Sequence, residues 1–161
     1  MKRALFLLAM LLSALSSFSQ IQLGATASYL PTAEYGSWGQ PISMSILPVL
    51  GLESEYSTGI LRIGATGLYQ PPFDTQSAQL ILHTDIGISD RLAFINIGIG
   101  VGPSLVWDIG NLGSLSHLFW NAKLFASIDI GELSIGITRI YNFASTSPYP
   151  RWMLSTLVHL S

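Results

Sequence analysis

The chain has 161 residues, of which 49% are hydrophobic and only 10% charged, and its formal net charge is −2 at neutral pH. Ordinary soluble domains carry about 25% charged residues, so a soluble surface built from this sequence would tend to associate. The slight excess of acidic residues argues against nucleic acid as a partner, and the absence of cysteine excludes disulfide cross-links.

The amino terminus has the pattern of an export signal. Lys2 and Arg3 precede the apolar run Ala4–Leu12, and small residues follow up to Ser19. This order of basic, apolar and small residues predicts a secretory signal peptide over residues 1–19. The apolar run is much shorter than the roughly 20 residues that a membrane-spanning helix needs.

The remaining residues, 20–161, alternate between apolar and small or polar side chains. They hold no apolar stretch long enough for a helical span. Pro48 lies inside the second segment, where we expect a bulge or a bend. Backbone groups in hydrocarbon must all be paired internally, so alternating strands have to close. The pattern predicts an all-β domain, an antiparallel up-and-down transmembrane β-barrel of about eight strands. The segments lie at about 21–29, 42–53, 60–69, 79–89, 93–102, 118–129, 133–141 and 151–160.

The connections between these segments alternate in length. Tight hairpins are expected at Asp90–Arg91 and Gly131–Glu132, and the link over 55–59 is intermediate. Outer-membrane barrels have short turns on the periplasmic side and longer loops outside. The alternation therefore predicts that both termini lie in the periplasm. The longer connections are expected at 31–41, 70–77, 103–116 and 142–150.

Five aromatic residues lie in the apolar register of their segments, each at the strand end nearest a long loop. Rings at headgroup level form such a girdle in membrane barrels. A soluble secreted barrel or sandwich would alternate as well, but it should carry charges on the face opposite the apolar one. Here that face is mostly glycine, serine, threonine and asparagine. The predicted outer girdle consists of Tyr29, Tyr69, Trp120, Tyr141 and Trp152.

In architecture and patterning the chain resembles the small eight-stranded outer-membrane proteins of the OmpA and OmpX type. The resemblance spans residues 20–161 and rests on no sequence motif. It implies a Gram-negative outer membrane as the location. Such chains commonly end in an aromatic residue, whereas this one ends in His159-Leu160-Ser161.

The inward register contains ionisable residues that an eight-stranded barrel must pair, since its interior is just wide enough to be filled by side chains. Folding about the predicted connections sets Arg62 opposite Asp85 and Asp85 opposite Asn96, and it brings Lys123 close to Asn96. His83 lies one step further along the barrel. We expect this lumen polar network to be structural, because unpaired buried charges are costly. The functional alternative is an ion path or a gate.

One residue breaks the apolar pattern of the outward face. Arg139 falls in the lipid-facing register two residues before Tyr141. It is expected either to extend toward anionic headgroups or lipopolysaccharide phosphates, or to be turned inward by a bulge.

The leading hypothesis is a non-enzymatic outer-membrane barrel with a filled lumen, in envelope structure or as a subunit of a larger assembly. Its expected partners are outer-membrane lipids and lipopolysaccharide, together with other outer-membrane proteins in the assembly role. One alternative is a narrow channel for small or apolar solutes. Another is a lipid-modifying enzyme using Ser116 and His117 with Ser77 and Asp74 at the rim. No catalytic set, metal-ligand spacing or cofactor motif is apparent.

Overall fold

The protein forms eight β-strands, as the alternating pattern predicted. A computed structural model describes residues 19–35, 41–72, 77–111, 115–143 and 151–160. Residues 1–18 of the expected signal peptide lie outside this set. A single 3₁₀ turn, Ile109–Asn111, follows β5. The strands are β1 (Ser19–Tyr35), β2 (Pro41–Thr58), β3 (Leu61–Gln70), β4 (Gln79–Leu92), β5 (Ile95–Asp108), β6 (His117–Ile130), β7 (Leu133–Asn142) and β8 (Trp152–Leu160).

Each strand pairs antiparallel with its neighbours in sequence, and β8 pairs with β1 to close the barrel. Closure leaves no free sheet edge along the paired ranges, so backbone donors and acceptors are satisfied within the wall. The expected class, an all-β antiparallel up-and-down barrel of eight strands, is confirmed.

Two-residue turns join strands at one end of the barrel, here called the turn end. They are Gly59–Ile60, Ala93–Phe94 and Gly131–Glu132. Gly59 and Gly131 have φ values of 57° and 64°, in the left-handed region that glycine adopts without strain. The predicted turn at Asp90–Arg91 is wrong, because β4 continues through Leu92 and the chain reverses at Ala93–Phe94. The longer connections lie at the opposite end, the loop end.

Two prolines that were expected to interrupt strands lie within continuous pairing. Pro31 and Pro48 both belong to the β1–β2 ladder, so the expected loop over 31–41 is too long and no bulge occurs at Pro48. Pairing of β1 with β8 ends at Ser28, and pairing of β2 with β3 begins only at Leu50. Within the described pairings each proline therefore has a neighbouring strand on one side, and there a missing backbone donor is tolerated.

The two faces of the wall differ sharply in composition. Large apolar side chains on all eight strands point outward and are exposed. Buried polar and charged side chains alternate with them and point inward. No helix in the described parts of the chain is long and apolar enough to cross a membrane.

Candidate functional site: the barrel interior

An ion network occupies the interior near mid-height. The Arg62 Nε atom lies 2.8 Å from a Glu55 carboxylate oxygen, and Arg62 Nη2 lies 3.8 Å from Glu53. Arg62 also forms an ion pair with Asp85, whose other oxygen lies 2.6 Å from Lys123 Nζ. All five side chains are nearly inaccessible to solvent. Two cations are thus shared among three carboxylates, so each buried charge has an opposite neighbour.

The structure brings Arg62, Asp85 and Lys123 together, although not by the expected register. Arg62 lies opposite Gly87 on β4, while Asp85 lies opposite Gly64 on β3. A side chain at Gly64 would lie 2.8 Å from Asp85 Oδ1. The glycine therefore leaves the space through which the long arginine side chain reaches diagonally to the carboxylate.

The expected place of Asn96 in this network is wrong. Asn96 lies opposite Arg91 and Ser127, near the turn end. The error follows from the misplaced hairpin, since moving the reversal to Ala93–Phe94 shifts β5 along β4. The residue of β5 that lies opposite Lys123 is Gly100, where a side chain would collide with Asp85.

Glu53 and Glu55 were missed as members of the network. The second strand was expected to end at Glu53, with Glu55 in the following link, whereas β2 continues to Thr58. The sequence did contain the information. Glu53 and Glu55 are two residues apart and alternate with the outward residues Leu52 and Tyr56, so both glutamates belong to the inward face. Two inward carboxylates favour a buried cation between them.

A second polar cluster lies one step toward the loop end. His83 is fully buried, and its Nδ1 atom lies 2.6 Å from the Ser104 hydroxyl. Asn121 donates to the same hydroxyl at 2.7 Å. Lys123 donates to the Thr66 hydroxyl at 3.1 Å, and Thr66 lies opposite His83, so the ion network is adjacent to this cluster. His83 therefore lies one step closer to the loop end than Asp85, as expected.

A layer of buried apolar side chains lies above these polar clusters, toward the loop end. Seven strands each contribute one buried side chain to it, and Leu47 packs against the layer. Closely packed apolar side chains oppose the entry of water and ions. The layer consists of Val49, Leu68, Ile81, Val106, Phe119, Ile140 and Met153.

A third polar cluster lies at the turn end. The Asp129 carboxylate lies 3.0 Å from Arg91 Nη2 and 3.6 Å from His159 Nε2. Gln22 on β1 contacts the His159 ring at 3.2 Å. Between this cluster and the ion network is a cavity of about 20 Å³, bordered by Glu53, Arg62 and other inward residues. That volume holds one or two water molecules and no larger ligand.

The expected aromatic residues lie near the loop end. Tyr69, Trp120, Tyr141 and Trp152 are exposed on the outward face. Tyr29 lies in β1 opposite Pro48, and its side chain is outside the described set. Exposed aromatic side chains also occur near the turn end, at Tyr56 and Phe94. This second group was not predicted, although Phe94 lies in a short turn and Tyr56 lies three residues before one.

Of the residues considered for rim catalysis, Ser116 hydrogen-bonds to Asp108, a carboxylate outside the expected set. The Ser116 hydroxyl donates to Asp108 at 2.8 Å, and Gln79 Nε2 donates to the same carboxylate at 3.0 Å. His117 begins β6 and is exposed. Asp74 lies outside the described residues. Within the described ranges no group of three potential ligands could hold a metal ion.

No protein-family model matches the chain, and no curated protein matches it. Among solved structures, the barrel is similar to the crystal structure of Neisserial surface protein A (NspA), with a TM-score of 0.50 and 14% sequence identity. The match covers 88% of this chain and 92% of that chain. At this identity the likeness concerns the fold, and it agrees with the predicted small eight-stranded barrel.

Proposed function

We propose that the protein is a non-enzymatic barrel of the Gram-negative outer membrane, with a filled, non-conducting lumen and a role in envelope structure or in a larger membrane assembly. The observation that carries the proposal is the distribution of apolar and polar side chains over the two faces of the barrel wall, which is the reverse of that in a soluble protein. Apolar side chains cover the outside, while ion pairs and polar side chains fill the inside. Hydrocarbon is the environment that such a surface fits.

The orientation in the proposal follows from the two ends of the barrel. Three connections at the turn end have two residues, whereas the connections after β3 and β5 have eight. Short periplasmic turns and longer outer loops are the rule for outer-membrane barrels. The termini would then lie in the periplasm. The solved structure that shares this fold is named as a surface protein.

Two barriers in series support a closed lumen. The apolar layer lies near the loop end, and the ion network lies below it. A gate made only of ion pairs would open when the pairs rearranged. Here an ion would still meet a packed apolar layer, and transferring a charge into apolar surroundings is costly.

Planar-bilayer recordings test the closed lumen. We expect the purified, heat-modifiable barrel to produce no conductance steps, while a general porin in the same bilayers does. Asp85→Asn should also be silent, because the apolar layer does not depend on that carboxylate. Discrete steps from the wild-type protein would contradict the proposal and favour a narrow channel. Steps only from Asp85→Asn would favour an ionic gate.

A further inference from the structure

Arg139 is the one cationic side chain in the outward register of the described strands. It lies three residues before the end of β7 and directly opposite Trp152 on β8. Its guanidinium carbon lies 4.6 Å from the centre of a Trp152 ring and 5.3 Å from that of Tyr141. The side chain therefore remains outside, between two aromatic rings, and is not turned inward by a bulge.

The charge of Arg139 lacks a carboxylate partner among the described residues. Stacking on aromatic rings compensates a cation in part, through the faces of the rings. The N–H groups at the edge of the guanidinium remain available, and their fork matches carboxylate or phosphate oxygens. In a low-dielectric surrounding such a group favours an anion beside it.

A groove on the outer wall begins next to the same tryptophan. It has a volume of about 270 Å³ and is bordered by Ala27, Ile137, Trp152 and Leu154. Leu154 lies between Ala27 on one side and Ile137 on the other. The small side chain of Ala27 leaves the space, and the surrounding surface is apolar. The Trp152 ring thus contacts the Arg139 cation and also borders the apolar groove.

We propose that this surface binds one molecule of lipid A, with a phosphate on Arg139 and an acyl chain in the groove. A phosphate supplies the missing anion, and an acyl chain fits an apolar groove that faces the bilayer. The choice of lipid A over a phospholipid rests on the proposed function, in which the loop end faces outward. Lipid A is the phosphorylated lipid of that leaflet.

Native mass spectrometry of the detergent-purified protein with added lipid A tests the site. The wild-type barrel should retain one lipid A, and Arg139→Gln should weaken binding about tenfold, as expected for the loss of a charge-assisted hydrogen bond. Ala27→Phe should weaken it as well, because the ring fills the groove. Arg91→Gln is the matched control, since it removes the same charge at the turn end and should bind as the wild type does.

Three results would overturn the proposal. One is equal lipid A binding by the Arg139→Gln and Arg91→Gln proteins. Another is unchanged binding by both Arg139→Gln and Ala27→Phe. The third is equally tight binding of phosphatidylglycerol to the wild-type protein, which would identify a general phospholipid site. Failure of the proposed orientation is distinguishable, because it would appear in surface labelling of cells while lipid binding by the purified protein stayed intact.

Discussion

Replacing Asp85 with asparagine is expected to lower the free energy of unfolding of the barrel by about 3 kcal/mol. Asp85 is the only carboxylate within ion-pair distance of Lys123 among the described residues, whereas Arg62 retains Glu53 and Glu55. The substitution therefore leaves the Lys123 ammonium buried without a counterion. Removing one member of a buried pair costs far more than the pair contributes as a whole.

Urea unfolding of the protein in lipid vesicles, followed by tryptophan fluorescence, measures this loss. Asp90→Asn is the matched control, because Asp90 is exposed on the outward face near the turn end, and it should change stability by no more than about 0.5 kcal/mol. The double variant Asp85→Asn, Lys123→Met should recover much of the loss. Equal stability of the Asp85→Asn and Asp90→Asn proteins would contradict the ion network.

Gly24→Ala is expected to prevent most of the protein from folding into the closed barrel. Gly24 lies on β1 opposite Leu157 of β8, at the seam where the first and last strands meet. A Cβ atom there would overlap the Thr156 carbonyl oxygen and lie 2.7 Å from the Leu157 Cα. These are backbone atoms, so relief requires the two strands to move apart. Overpacking typically costs about 1–3 kcal/mol and more where the backbone cannot shift.

The fraction of heat-modifiable barrel after refolding into detergent or vesicles measures this effect. Gly67→Ala is the control, because a Cβ at Gly67 would have no other atom within 4 Å. It should refold as the wild type does. A Gly24→Ala protein that refolds as fully as the Gly67→Ala protein would show that β1 and β8 do not approach as closely as the structure has them.

The architecture was predictable because side-chain parity is a local property of each strand. Leu80 and Ile88 point outward as expected, and His83 and Asp85 point inward, wherever the neighbouring turn lies. Register was not predictable, since it depends on where each chain reversal occurs. The reversal at Ala93–Phe94 uses neither glycine nor asparagine, and Ala93 has a φ of 59°. The more turn-like Asp90–Arg91 nearby gave the wrong prediction.

The same difference between side-chain parity and strand register explains which interior residues were predicted correctly and which were missed. Arg62 and Lys123 have long side chains, so they reach Asp85 even though the expected register on β4 was shifted by two residues. Asn96 is short, and the shift removes it from the network. The apolar layer depends on seven strands meeting at one height, which no single segment encodes. Arg139, Tyr141 and Trp152 could each be recognised in the sequence. The groove beside them could not, because it forms only when β1 pairs with β8.

Single-cysteine labelling in intact cells tests the central claim, a barrel that spans the outer membrane with its loop end outside. The chain contains no cysteine, so an introduced thiol is unique. Gly110→Cys lies in the exposed turn after β5, and Glu132→Cys lies in the exposed turn after β6, at the other end. A membrane-impermeant maleimide should label Gly110→Cys in intact cells and label Glu132→Cys only after the outer membrane is permeabilised. Labelling of Glu132→Cys alone, or of neither site until the inner membrane is broken, would contradict the account.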